Sequence, residues 1–291
     1  MQHTFMQQRR QFTKTMLGLG LASCLVPFAH GSSKLKPMKF TTGIQLYTLR
    51  DLMAQDPIKA LNLVAKTGYQ EVEFAGYFNK TTQELASTLR ELGLTAPSAH
   101  YGLDDLNANL SQIIEDAHTL GHKYIVLPYL TDEQRDGGID TYKKLAVKCN
   151  KFGEACKQAD IQFAYHHHDF EFFKTHNQVP FDVLLNETDA DLMKIEMDLY
   201  WMAKANQSPT DYFKKHPQRF PLFHVKDMDA QGDFADVGTG VIDFDSIFAQ
   251  HEISGIQHFF VERDHTLDVL KTMATGQVTL SKLLRNLAVT N

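Results

Sequence analysis

The chain has 291 residues, 43% of them hydrophobic and 22% charged, enough apolar material to bury a large core. Its formal net charge is −6; residues 1–31 hold Arg9, Arg10 and Lys14 and no acids, so the remainder carries 26 basic against 35 acidic residues, a net −9. That balance disfavours a nucleic-acid partner, which needs a basic footprint.

The chain opens with an address. Gln8-Arg9-Arg10-Gln11-Phe12-Thr13-Lys14 precedes an apolar run over 16–28, then Ala29-His30-Gly31. A basic segment, an apolar segment and small residues before a cut resemble a twin-arginine export signal over 1–31. A short lead-in over 32–39 follows. The reading implies contact with the export machinery and a periplasmic protein. Leu21-Ala22-Ser23-Cys24 also resembles a lipobox, which would leave a lipid anchor at Cys24. The apolar run is too short for a membrane span. Cys149 and Cys156 lie seven apart in a predicted helix. Two helical turns separate them by about 10 Å, too far for a bridge, so both read as core thiols.

From residue 40 to 291 strand and helix alternate in one domain. Strands are expected near 40–47, 70–75, 95–100, 123–128, 161–168, 193–198, 220–226 and 257–262. Their spacing, about 24 to 38 residues, suits repeated βα units. Asp56-Pro57 supplies a cap and a first-turn proline, and Thr81-Thr82-Gln83-Glu84 fits a capping box. Gly68, Gly93 and Gly121 each close a helix just before a strand. Gly238-Thr239-Gly240 lacks the third glycine of a nucleotide loop. The expected fold is α/β, a single (β/α)8 barrel.

The strands share one peculiarity. Buried parallel strands should be nearly all apolar, yet these run out into Gln, Glu, His, Asp and Lys. In a (β/α)8 barrel the C-terminal strand ends meet at one face, where active sites sit. Strand parity sharpens this reading. Val72 and Phe74 oppose Glu71 and Glu73; Ile195 and Met197 oppose Glu196 and Asp198; Phe223 and Val225 oppose His224 and Lys226. Phe259 and Val261 oppose Phe260 and Glu262; Ile44 and Leu46 oppose Gln45 and Tyr47; Phe163, Tyr165 and His167 oppose Ala164, His166 and His168. If the apolar parity faces the helices, six strands deliver polar groups to one cavity.

Asp198, His224 and Glu262 are oxygen and nitrogen ligands without thiolate, a mixture that suits one divalent ion such as Mn²⁺, Zn²⁺, Co²⁺ or Mg²⁺. A fourth ligand should come from the fifth strand, as His168 or His166. Lys226 or Arg263 could instead pair the acids as structural salt bridges.

Six segments resemble the sugar phosphate isomerase/epimerase family, the xylose isomerase-like TIM barrels. They are Gly43-Ile44-Gln45-Leu46-Tyr47-Thr48-Leu49-Arg50, Tyr165-His166-His167-His168-Asp169-Phe170-Glu171-Phe172, Met197-Asp198-Leu199-Tyr200-Trp201, His224-Val225-Lys226-Asp227, Val237-Gly238-Thr239-Gly240-Val241-Ile242-Asp243-Phe244 and Val261-Glu262-Arg263-Asp264. They stand in family order across residues 40–288. The resemblance implies a TIM barrel whose last four strands offer Glu, Asp, His and Glu to one metal. Asp198, His224 and Glu262 match three. Histidine, His166 or His168, stands where the family has glutamate on the fifth strand, and Glu171 is the nearest carboxylate. That departure removes one of two metal-bound glutamates that shuttle protons in the family's ketose epimerases.

The chemistry expected of such a site is α-proton transfer next to a polarised carbonyl, through an enediolate. Return of the proton gives isomerisation or epimerisation of a sugar or keto-sugar, the favoured outcome; loss of a β-hydroxyl or alkoxyl makes the protein a lyase or dehydratase, acting on a keto-sugar or 3-keto-glycoside. Candidate catalytic groups are Glu262, His168, Glu73 and Lys226. Gln45, His100, Lys226 and Trp201 are candidate contacts to the carbohydrate, with His100 and Lys226 able to protonate a leaving oxygen. An exported protein points away from sugar phosphates toward free, oxidised or glycosidically linked sugars. A homo-oligomer is compatible with this reading. Two other classes share the pattern: a nuclease like endonuclease IV, which the −9 counts against, and a non-catalytic sugar-binding barrel, which would need no metal.

Overall fold

The computed structural model describes residues 40–289; residues 1–31, expected to be an export signal, the lead-in 32–39 and Cys24 lie outside the described residues. Eight parallel strands close into a barrel: β1 Thr42–Gln45, β2 Glu71–Phe74, β3 Thr95–His100, β4 Tyr124–Leu127, β5 Gln162–His166, β6 Met193–Asp198, β7 Leu222–Val225 and β8 His258–Val261. Each strand pairs with its neighbour in the chain, and β8 closes on β1 through Gly43 opposite Phe260. Helices follow every strand, the longest being Leu103–Leu120, Ile139–Gln158 and Val269–Val289. A two-stranded antiparallel ribbon, Asp227–Met228 with Phe234–Ala235, follows β7. The barrel expected from the sequence is therefore the observed fold.

Local chemistry sets the element ends where the sequence marks them. Asp56 Oδ1 accepts from the Lys59 amide at 3.1 Å, with Pro57 in the first turn of helix Pro57–Thr67. Thr81 and Glu84 form a reciprocal capping box on helix Thr82–Leu92. Gly68, Gly93 and Gly121 all take left-handed φ at helix ends, a conformation a Cβ disfavours. Cys149 and Cys156 are buried free thiols, each pushed up to about 12 by burial. No helix among the described residues is long and apolar enough to cross a membrane.

Parity sorts the barrel into two apolar compartments and one polar one. Ile44, Val72, Phe74, Phe163, Tyr165, Ile195, Met197, Phe223, Val225, Phe259 and Val261 all join the large core between strands and helices. Inside the barrel a separate plug forms from Tyr124, Val126, Ala164, Leu222 and Phe260. Below it Glu71 pairs with His258 at 2.8 Å and Tyr124 donates to Gln257 at 3.0 Å. Above it, toward the C-terminal strand ends, stand Gln45, Glu73, Ser98, His100, His166, Glu196, Asp198 and His224. The plug thus gives the polar layer an apolar floor.

The Gly238-Thr239-Gly240 loop binds an internal anion. Asp227 accepts backbone N–H groups from Met228, Gly238, Gly240 and Ile242, at 2.8, 2.9, 2.9 and 3.3 Å. A Cβ at Gly240 would lie 2.2 Å from the Met228 carbonyl oxygen. The close packing of this loop on Asp227 accounts for glycine at 240.

At Gly43 the barrel interior has no room for a side chain: a Cβ would lie 2.5 Å from Phe260 Cδ1 and 2.7 Å from the Phe259 carbonyl oxygen. Gly43→Ala should destabilise the barrel by about 1–3 kcal/mol through overpacking. Urea unfolding would read this as a lowered midpoint at unchanged m-value; an unchanged midpoint would show the plug to be loosely packed.

Candidate active site

The polar layer is built from strand ends. Gln45 comes from β1, Glu73 from β2, Ser98 and His100 from β3, His166 from β5, Glu196 and Asp198 from β6 and His224 from β7. Lys226, Glu262 and Asp264 follow β7 and β8 directly. A cavity of about 690 Å³ opens above it, with His100, His166, His168, Lys226, Glu262 and Asp264 on its wall. Tyr47, Tyr77, Tyr101 and Tyr129 also line it, nearly all from loops.

His224 stands at the centre, fully buried. Its Nε2 lies 2.7 Å from Glu73 Oε2 and 3.2 Å from Glu196 Oε2. Its Nδ1 lies 2.8 Å from Glu262 Oε2 and 3.7 Å from Asp198 Oδ2. Glu73 is itself held from behind by the Gln45 amide at 2.7 Å and the Ser98 hydroxyl at 2.5 Å. The His166 ring packs on His224 with centroids 4.4 Å apart, and its Nε2 is 3.9 Å from Asp198 Oδ2. Lys226 Nζ reaches Asp198, Glu262 and Asp264 at 2.9, 2.7 and 2.9 Å. His100 Nε2 sits 2.8 Å from Glu196 and 3.3 Å from Glu73.

These contacts fix the charges. Burial opposes ionisation of Glu262, but Lys226 and His224 outweigh it and hold its carboxyl well below the usual range. Burial likewise opposes the charge on His100, yet Glu73 and Glu196 raise its pKa to about 9. Burial keeps His166 neutral, and the positive charges of its neighbours add to the effect. Burial, with Lys226 close by, lowers His168 to about 3. For Glu196, burial and the adjacent Glu73 raise the pKa.

The residues pass a chemical test for a divalent cation. Asp198 Oδ2, His224 Nδ1 and Glu262 Oε2 are buried; charged neighbours lie close, but none of the three has a well-directed hydrogen bond. His166, Asp198 and His224 each bring a ligand atom within 4.8 Å of the others. Five carboxylates, from Glu73, Glu196, Asp198, Glu262 and Asp264, meet only Lys226, His100 and His224 as favoured cations among the described residues. A second group, Glu73, His100, Glu196 and His224, is equally compact. It is already hydrogen-bonded, through Glu73 to His224 and His100 to Glu196. A carboxylate on the far nitrogen of a ligating histidine orients that ring and its lone pair, which is the position Glu73 takes toward His224.

The residues singled out in the sequence divide accordingly. Asp198, His224, Glu262, Lys226 and His100 converge at the cavity floor. Of the two fifth-strand histidines, His166 faces the cluster from the inward parity. His168, just past the strand, lies farther along the cavity wall against Tyr129, Phe170 and Trp201. Glu171 stands apart: it accepts the Tyr165 hydroxyl at 2.5 Å and the His168 amide at 2.8 Å, and burial raises it to about 7. Glu73 and Gln45 are wholly buried behind the wall rather than on it. Trp201 backs His168 and Lys226, its ring 5.2 Å and 5.6 Å from them, without lining the cavity. Arg263 pairs with Asp236 and does not neutralise the cluster. Glu196 and Asp264 were not singled out for a role, although Glu196 shares the inward parity of Asp198. The tyrosines from the loops carry no periodic signal that could have placed them.

Known proteins match the chain in the same terms. The description "Xylose isomerase-like TIM barrel" matches residues 61–265. An inosose dehydratase of Clostridium botulinum (strain Eklund 17B / Type B) is 21% identical over 249 residues, covering 72% of this chain and 83% of its own length. A sugar phosphate isomerase/epimerase structure from Parabacteroides distasonis superposes with a TM-score of 0.70 at 24% identity, over 88% of this chain and 98% of that one. The IolI protein, solved with a bound zinc atom, superposes with a TM-score of 0.68 at 16% identity, over 85% and 99%. With the family description matching most of its barrel, the chain belongs to the xylose isomerase-like TIM barrels.

Proposed function

We propose that this protein is a divalent-metal-dependent carbon–oxygen lyase that removes water, or an alkoxide with its proton, from a polyhydroxy ketone of the keto-sugar class. The observation that carries the reading is the inequality of the acid–base groups on the cavity wall. Glu262 is an ionised carboxylate and His100 a protonated imidazole. The carboxylate a symmetric two-base epimerase would take from the fifth strand is replaced by neutral His166. One base and one acid of different kind suit an elimination.

Asp198, His224, Glu262 and His166 would hold the cation. Once bound, a divalent ion would polarise the substrate ketone and stabilise charge on its oxygen. Glu262, ionised, takes the proton from the carbon next to the ketone. The electron pair moves to the ketone oxygen, then returns to form a carbon–carbon double bond as the β-oxygen leaves. His100 gives that oxygen its proton, so water or an alcohol departs. Glu196 and Glu73 keep His100 charged for this step. The Clostridium relative's name, a dehydratase, supports this reading.

Isomerisation or epimerisation is the second reading. His168 shares the cavity wall with Glu262 and is neutral, so it can accept the proton from the carbon next to the ketone and give that same proton back to the neighbouring carbon. The name of the Parabacteroides structure supports it. Export by the twin-arginine route is proposed separately on Arg9-Arg10 and the apolar run after it. It would carry a folded protein across the membrane. Arg9→Lys with Arg10→Lys should trap the precursor in the cytoplasm; undiminished periplasmic protein in fractionation would refute it.

Elemental analysis of purified protein should find one divalent ion per chain. Asp198→Ala and Glu262→Ala should each lose it with the fold intact by circular dichroism. His166→Ala should lose it while His168→Ala keeps it, and the reverse result would move the fifth-strand ligand to His168. Glu73→Gln should weaken binding by about 10–100-fold, as loss of an orienting outer-shell group does.

The reaction class is tested by NMR of candidate keto-sugars with loaded enzyme in D₂O. An unsaturated ketone with loss of water or aglycone is expected. Solvent deuterium in an unchanged carbon skeleton would favour the second reading, and turnover with neither would exclude both. His100→Gln should lower kcat by about 10²–10⁴-fold. The wild-type rate should fall as pH rises through about 9, where His100 loses its proton, a limb the variant should lack.

A further inference from the structure

Lys226 is 1% exposed and is the only lysine or arginine on the cavity wall among the described residues. Its ammonium is shared by Asp198 Oδ2, Glu262 Oε2 and Asp264 Oδ1, at 2.9, 2.7 and 2.9 Å. The first two oxygens are the ones turned toward His224 Nδ1, at 3.7 and 2.8 Å, and neither has a well-directed hydrogen bond. The ammonium thus serves them as a point charge. Asp264 differs. It lies on the cavity wall and pairs with Lys226 but with no histidine of the cluster. The Trp201 and Phe234 rings lie 5.6 and 5.9 Å from the ammonium, adding a modest cation–π attraction.

Two cations cannot share the same pair of buried carboxylate oxygens without strong repulsion, because the interaction grows as the dielectric falls. Removing one partner of a buried ion pair also leaves an uncompensated charge, which is costly. We infer that Lys226 is an internal counter-ion which exchanges with the divalent cation: the two compete for Asp198 Oδ2 and Glu262 Oε2, and Asp264 retains the ammonium when the metal takes those oxygens. The inference rests on the ligand set proposed above. Lys226 stays charged throughout; only its partners change. Its consequence is that the carboxylate cluster is balanced in both conditions, so the barrel can fold before metal is loaded. Affinity for metal is correspondingly lower than the bare ligands would give.

The test uses wild-type protein, Lys226→Met and Asp264→Asn, each stripped with chelator and titrated with Mn²⁺ against a competing chromogenic chelator. Thermal unfolding is followed for stripped and loaded samples. Lys226→Met should bind Mn²⁺ at least about 10-fold more tightly (about 1.4 kcal/mol) at unchanged stoichiometry. Its stripped form should melt lower than wild type, while its loaded form should melt with wild type. Asp264→Asn should bind Mn²⁺ more weakly. Equal or weaker binding by Lys226→Met, or an equal fall in melting temperature for both of its forms, would overturn the exchange and give Lys226 a fixed structural role. Should stripped Lys226→Met fail to fold, Asp264→Asn decides: unchanged affinity overturns the exchange, weakened affinity supports it. Wild-type protein that takes up no Mn²⁺ would instead overturn the ligand set and the exchange with it, whereas one-to-one uptake with a failed variant series overturns the exchange alone.

Discussion

Buried carboxylates at the top of the barrel dominate its design. Glu73, Glu196, Asp198 and Glu262 are almost wholly enclosed, with Asp264 beside them. Two unit charges about 4 Å apart interact by about 4 kcal/mol at an effective dielectric of 20, a large share of the stability of any domain. The layer survives because each acid is tied to a cation or a donor. Lys226 bridges three of them, His224 lies between four, and Gln45 and Ser98 hold Glu73 from behind.

That arrangement also orders the chemistry. His224 is held at Nε2 by Glu73, which turns Nδ1 toward Asp198 and Glu262. His100 is held charged by Glu73 and Glu196. In the proposed reaction the base and the acid that face the cavity are therefore both set by residues behind the wall. Glu171 acts in the same way at one remove: it grips the His168 amide and the Tyr165 hydroxyl, and so fixes the backbone that carries His168. The loop over 237–243 closes on Asp227, directly after Lys226, and ties the ribbon to the end of β7. Residues far from any substrate thereby steer the lysine and the histidine that would meet one.

A barrel of this kind gives one face to many reactions, because the strand ends fix the polar floor while the loops shape the space above it. Here the floor departs from a two-glutamate pattern by a single exchange, histidine for glutamate on the fifth strand. In the proposed ligand set, a neutral imidazole at that point would keep a ligand while removing a negative base. The difference is one of charge more than of shape, and charge decides which steps of a shared proton-transfer chemistry are available.

Strand parity was legible in the sequence because a parallel barrel buries one face of each strand against helices, and the alternation of Phe223, Val225 and their partners with His224 and Lys226 has no other outlet. The eight βα units, the caps at Asp56 and Thr81, and the convergence of Asp198, His224 and Glu262 follow from patterns two to four residues long. Which of His166 and His168 faces the cluster was not legible: they share a parity, and only the point where β5 ends places one inside the barrel and the other on its rim. The positions of Glu73, which faces His224 from behind the wall, and of Gln45, which holds Glu73, depend on the closure that sets β1 and β2 near β7. The same holds for the three carboxylates around Lys226, brought from strands distant in the chain. Contacts of that range are set by barrel register and tilt, which no local pattern encodes.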